Sequence, residues 1–323
     1  MSDSRVLITT YPAAFLHRGG GELELVDLMN NLRQLGVRAD LYGPSVQPLN
    51  KYDVVLHYSV VPTGIEFVRE VKAAGKKLVL LPSIWWSKAP SQAEKDSVAE
   101  FFKLADIVVF KSNSEYENVI EHVRLDSSKV AFYRWGVDSC FEELVDADLF
   151  RKTYRLDDYL LAVGIIEERK NQLSAIHALR DSKVPLVFVG DYRDRAYYEA
   201  CVKAAPSHFK FLPYLQPKSE VLRSALQGAK AFIEVSLEPV GFSAFEAGLS
   251  RVPMVLSAGA WTQEHFGNEL VHQVDPMSTA SIQRGVEAAL RTPVSPELQR
   301  HVHNKYLMPQ CLEPLVRALK VRA

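Results

Sequence analysis

Residues 238–256 read EPVGFSAFEAGLSRVPMVL, from Glu238 to Leu256. Ahead of this stretch, Ala231–Val235 is an apolar run suited to a buried parallel strand, and Met254–Leu256 begins another. The segment therefore reads strand, loop, helix, strand, which is half of a doubly wound α/β sheet. Gly241 lets the loop backbone approach a ligand closely. Ser243 is placed to cap a helix running through Ala247, Leu249 and Ser250, leaving its first N–H groups for an anion. Glu238 precedes the loop and Glu246 lies one turn into the helix, so both carboxylates can face the same cleft with the helix N-terminus between them. The spelling Ser243-x-x-Glu246 is also a capping box, which would commit Glu246 to its own helix. Spacing alone leaves both readings of Glu246 open.

The same stretch resembles the E-x7-E signature of GT-B glycosyltransferases, in particular the retaining family four related to glycogen and sucrose synthases, whose usual form is EGFGLPxLEAMAxGxPVV. Glu238, Gly241, Glu246, Ala247 and Pro253 agree with it, while Pro239, Val240 and Ser243 replace glycine, phenylalanine and proline. The resemblance implies that Glu238 meets the donor sugar near the reacting carbon and that Glu246 holds the ribose, with Gly241, Phe242 and Ser243 beside them. It implies two Rossmann-like α/β domains facing a central cleft, with the last helix crossing back to the first. It also implies retaining transfer of a sugar from a nucleotide-sugar donor to a carbohydrate, lipid-linked or small-molecule acceptor, with no cofactor and no metal.

Outward from there, Tyr159–Gly164 reads as a buried strand leading into IIEERKNQLSAIHAL, which resembles the family form VGTLEPRKNL at Gly164, Glu167, Arg169, Lys170 and Asn171. A diphosphate leaving group needs its developing charge neutralised, and the adjacent cations Arg169 and Lys170 in a strand-to-helix loop can do this. The alternative is a solvated basic pair. Many relatives carry an arginine directly after this glycine, where Ile165 stands here. Leu186–Asp191 and Phe211–Tyr214 read as further strands, and the resemblance implies that the loop at Tyr214 and Leu215 clasps the nucleobase. Gly259–Thr262 with Glu264 and His265 reads as a loop after a strand. VAFYRWGVDSCF resembles the family's PNGVD…F segment at Gly136, Val137, Asp138 and Phe141. The expected organisation is an acceptor-side domain over 1–143, a donor domain over 144–300 and a helical segment over 301–323, with a hinge over 140–149. Asp146-Ala147-Asp148 spells DxD inside an acidic helix start and is not read as a metal site.

In the first half, Arg5–Thr10 reads as a strand and Gly19-Gly20-Gly21-Glu22 as a loop entering a helix with Leu25, Leu28, Met29, Leu32 and Leu35 at helical spacing. This loop resembles the GGxE loop of the family, which implies a place between donor phosphate and acceptor; a plain glycine hinge is the alternative. DVVLHY ends a strand on His57, where ligands sit in open α/β sheets. Lys77–Leu81 opens into PSIWWSK, where family members often carry a histidine near the reaction centre; Ser83 or Trp85 takes its place here. The Trp85-Trp86 pair beside Lys88 suits stacking on a sugar or peripheral contact with a membrane surface.

Composition bounds the partners. The chain has 323 residues, 47% of them hydrophobic, and a formal net charge of −1. That is enough for two cores, with no global basic field for nucleic acid. Cys140, Cys201 and Cys311 lie far apart, outside any metal spacing, which suits a reducing compartment. With no apolar stretch long enough for a leader or a membrane span, a cytoplasmic protein is expected. Two other functions share the scaffold: a nucleotide-sugar epimerase or hydrolase, and a catalytically idle sugar-binding or partner subunit. The missing histidine near Ser83 and Ile165 after Gly164 favour the idle subunit, whereas the presence of Glu238, Glu246 and Lys170 disfavours it.

Overall fold

Runs such as Val54–Tyr58 (VVLHY) and Leu186–Val189 (LVFV) have no solvent face, and in the fold every residue of both is buried. Such runs suit parallel strands covered on both sides by helices. The computed structural model describes residues 4–16, 20–294 and 296–320, and every pairing between its strands is parallel. The chain divides into two compact units, Met1–Gly136 with Met308–Ala323, and Val137–Leu307.

The first unit begins with β1 (Arg5–Thr9), α1 (Gly20–Gln34), β2 (Arg38–Leu41), β3 (Val54–Tyr58) and α2 (Ile65–Ala73). It continues with β4 (Lys77–Leu81), α3 (Gln92–Leu104), β5 (Ile107–Phe110), α4 (Asn113–Ile120) and β6 (Val130–Phe132). Its six-stranded sheet has the order β2-β1-β3-β4-β5-β6.

The second unit runs α5 (Asp148–Tyr154), β7 (Leu160–Val163), α6 (Gln172–Leu179), β8 (Leu186–Val189), α7 (Arg195–Ala204), β9 (Lys210–Leu212) and α8 (Glu220–Gly228). There follow β10 (Ala231–Glu234), α9 (Ser243–Leu249), β11 (Met254–Ser257), α10 (Ala260–Phe266), β12 (His272–Val274), α11 (Thr279–Arg291) and α12 (Pro296–Tyr306). Its sheet has the order β12-β11-β10-β7-β8-β9. The strand order reverses between β7 and β10, and the carboxyl ends at such a switch point leave a crevice. The last helix, α13 (Glu313–Leu319), packs on β5 and β6 of the first unit.

Alternation along the strands builds the second core. Phe232, Met254, Leu256, Val187 and Val189 join one apolar cluster, while Ala231, Ile233, Val255, Leu186 and Phe188 join the other. Successive side chains of a strand point to opposite faces, so one run feeds both layers.

Several expectations are corrected. Gly20, Gly21 and Glu22 form the first turn of α1, not a loop, because the helical pattern that starts at Leu25 extends one turn earlier. Gly19 lies outside the described residues. Gly259–His265 is a helix start and α10, not a loop: His265 is 4% exposed and its Nδ1 lies 3.0 Å from the Tyr306 hydroxyl. The 140–149 segment is no open hinge. Phe141 is in the second core, the Arg223 guanidinium donates to the Cys140 carbonyl (3.1 Å), and Val145 N–H donates to Gln227 (3.1 Å). In the DxD spelling, Asp146 accepts the Asp148 N–H (2.9 Å) and pairs with Lys152 (3.1 Å).

Gly190 follows β8 at φ +150, and a Cβ there would lie 2.2 Å from the Gly164 carbonyl oxygen. Both the backbone conformation and the close approach require glycine. Gly190→Ala is expected to lower the unfolding free energy by about 2 kcal/mol or more, read from the midpoint of urea denaturation.

Candidate functional site

The loops after β7 and β10 meet at the switch point. Asn171, in the left-handed region at φ 56, ties them together: its side-chain amide donates to the carbonyls of Val235 (3.0 Å) and Pro276 (2.8 Å). The Leu237 N–H donates to the Arg169 carbonyl (2.8 Å). These bonds bring together the cations and carboxylates that the sequence placed in separate segments.

The result is a chain of alternating charges. Arg193 pairs with Glu167 (3.3 Å), Glu167 with Arg169 (2.9 Å), and Arg169 with Glu238 (2.8 Å). Lys170 then joins Glu238 (3.4 Å) to Glu234 (3.1 Å). The Lys170 side chain is 17% exposed against 59% for Arg169, so Lys170 is the enclosed cation and Arg169 the outer one. Burial opposes the Lys170 charge, but Glu234 and Glu238 outweigh it and raise its pKa above the ordinary lysine range. Lys170 is thus held as a protonated ammonium that donates to Glu234.

Glu234 is the member of this chain that sequence reading missed. It lies within the run taken as apolar, yet it is 7% exposed and receives four donors. They are the Gly241 N–H (2.6 Å), the hydroxyls of Ser236 (3.1 Å) and Ser243 (3.2 Å), and Lys170 Nζ (3.1 Å). A carboxylate at the end of an otherwise apolar strand was the available signal, since such a group is buried only with partners. Two expectations change as a consequence. The Gly241 N–H is already engaged, and Ser243 is the first residue of α9 with its hydroxyl on Glu234, not the helix cap, so the Ser243–Glu246 capping box does not form. Glu246 sits half-buried in the first turn of α9, and Phe242 occupies the cap position with its ring against the core. Gly164 stands at φ +145 directly after β7. Tyr214 is exposed after β9, while Leu215 packs on the core.

The first unit gathers a second polar centre at the carboxyl ends of its strands. Lys111 Nζ pairs with the buried Glu24 carboxylate (2.8 Å), which also accepts from the Tyr58 hydroxyl (2.7 Å). Ser83, in the left-handed region at φ 46, lies 2.8 Å from the Tyr58 hydroxyl and accepts from Lys111 (3.0 Å). Burial and the neighbouring Glu24 carboxylate raise the Tyr58 pKa. Ser83 therefore belongs to this network. Glu22 accepts from the Tyr11 hydroxyl (3.2 Å). Trp85 and Trp86 are both half-buried; Trp86 is held by two hydrogen bonds to Asn118 and packs on the core, so the pair is not an exposed indole patch.

His57, expected at a ligand face, is 1% exposed. Its Nδ1 lies 2.9 Å from Thr9 Oγ1, its ring stacks on Phe101, and its Nε2 is buried with no partner. The strand end that carries it is closed over by the 62–64 turn, with Gly64 against the ring.

No protein-family model and no curated protein matches the chain. Solved structures do. Anabaena HepE in complex with UDP-glucose matches with a TM-score of 0.82 and 15% identity, over 98% of this chain and 99% of that one. Sucrose-phosphate synthase from Thermosynechococcus elongatus matches with a TM-score of 0.79 and 15% identity, over 97% and 98%. A glycosyltransferase from Rickettsia africae matches with a TM-score of 0.79 and 15% identity, over 98% of both chains. The chain has the GT-B fold of these glycosyltransferases. Among the described residues, no helix is long and apolar enough to cross a membrane.

Burial pushes the His57 pKa down to about 4 from 6.5. The unfolded chain therefore takes up this proton first, and stability present above pH 6.5 is lost as pH falls towards 4. The expected loss from this group is up to about 3 kcal/mol. His57→Phe should flatten that part of the stability–pH curve, measured by urea unfolding at a series of pH values.

Proposed function

We infer that the chain is a glycosyltransferase that uses a nucleotide-sugar donor, with the donor diphosphate received at the carboxyl ends of β7 and β10. The observation that carries this reading is the enclosed Lys170 ammonium at the switch point, with Arg169 beside it and Glu238 between them. Cleavage of a glycosyl diphosphate leaves negative charge on the departing oxygens. A fixed ammonium and a guanidinium near that position stabilise the transition state more than the ground state, because the charge they meet is still developing.

In this reading Lys170 and Arg169 are the catalytic cations, in the role a divalent metal plays elsewhere. Glu238 gives up part of its contact with them to hold the sugar, Glu246 holds the ribose, and the backbone after β9 at Tyr214 and Leu215 contacts the base. Retention of configuration and a carbohydrate or lipid-linked acceptor belong to the same proposal and follow from the sequence resemblance. HepE, similar in fold, was solved with UDP, with UDP-glucose, and with UDP and glucose together. A uridine diphosphate sugar is therefore the first donor to try.

A second reading, a catalytically idle subunit, draws on the full ion pairing of Lys170 by Glu234 and Glu238. Binding without turnover would distinguish it.

Two measurements test the proposal. A thermal-shift panel of nucleoside diphosphates and their sugars is expected to raise Tm by several degrees for one base only. No shift from any of them removes the donor site. With a donor and acceptor in hand, Lys170→Ala should reduce kcat by about a hundredfold or more, while EDTA leaves wild-type turnover unchanged. Unchanged turnover in Lys170→Ala would remove the leaving-group role.

A further inference from the structure

Glu234 already occupies the donors a phosphate would need. An ammonium, a backbone N–H and two hydroxyls converge on its carboxylate, three of them on Oε1. That set of donors serves phosphate oxygens equally well. The cavity beside it, lined by Gly164, Ile165, Lys170, Gln172 and Glu234, has a volume of about 30 Å³. This is room for a water or two. Burial leaves the carboxylate little freedom to relax into solvent.

We propose that Glu234 is an internal competitor of the donor diphosphate: it holds Lys170 and the Gly241–Ser243 turn while the site is empty, and it opposes the diphosphate when the site fills. This rests on the donor-site reading above. An arriving phosphate oxygen must displace the carboxylate from Lys170 and Gly241 or bind beside it against a like charge. The opposition grows with the charge of the ligand. A free nucleoside diphosphate carries one more negative charge than its sugar ester, so Glu234 acts most strongly on the product and favours its release. Lys170 keeps Glu238 as a partner when Glu234 is removed, so its ammonium remains charged and positioned.

A purely structural role for Glu234 predicts the opposite sign. If the carboxylate only braced the turn, removing it would loosen the site and weaken binding.

The test is isothermal titration calorimetry on the full chain with UDP, ADP and GDP, and with the matching monophosphates, for wild type, Glu234→Gln and Glu234→Ala. Thermal unfolding checks that each variant folds. Both variants should bind the diphosphate about tenfold more tightly than wild type, with a smaller gain for the monophosphate, whose charge is lower. Equal or weaker diphosphate binding by the variants, with wild type binding, overturns the competitor role and leaves the donor site standing. A gain as large for the monophosphate also overturns it. Failure of all three diphosphates to bind any of the proteins overturns the donor-site reading, and this inference with it. If neither variant folds, the carboxylate is required by the turn itself and the competitor role is overturned.

Discussion

The second unit is organised around one enclosed ammonium. Lys170 sits between Glu234 and Glu238 at the point where the strand order reverses, and its charge is tolerable there only because both carboxylates are within contact distance. Removing an ion from water costs several kcal/mol unless partners with good geometry replace the solvent. That requirement fixes the two loops to each other. Asn171 and the Leu237 N–H then hold the loops at the spacing that the ion pairs need.

The first unit meets the same constraint with different residues. Lys111 follows β5 and is neutralised by Glu24 on α1, with Tyr58 and Ser83 completing the contacts. In both units a lysine stands at the carboxyl ends of parallel strands, where the backbone opens into loops and polar side chains can converge. The central strands β3 and β8, by contrast, are buried along their whole length. Placement of the polar centres is thus a consequence of the sheet architecture.

At 14–15% identity to HepE and sucrose-phosphate synthase, the chain shares a backbone path more than particular side chains. Alternating burial along short strands can be met by many apolar residues, which explains how one fold tolerates so much substitution. Site chemistry is less tolerant, and here it contains a carboxylate, Glu234, in the middle of the loops after β7 and β10. Its presence makes the cluster electrically balanced, three acidic against three basic side chains along the chain from Arg193 to Glu234.

Much of this was legible in the residue order. Uninterrupted apolar runs such as VVLHY and LVFV announce two-sided parallel strands whatever their neighbours, and the doubly wound α/β architecture follows from their alternation with helical spacing. Arg169 and Lys170 lie in a short turn between a strand and a helix, Glu238 in the loop after β10 and Glu246 in a first helical turn, as the local pattern indicates. What pattern alone left open was which charge meets which. Lys170 and Glu234 are 64 residues apart, and Glu24 and Lys111 are 87 apart. His57 and His265 looked available at strand and loop ends, but the 62–64 turn covers the first, and α10 carries the second against Tyr306 and Phe245. Periodicity reports the environment of a segment, whereas a side chain's partner depends on distances between segments that approach one another only when the sheet forms.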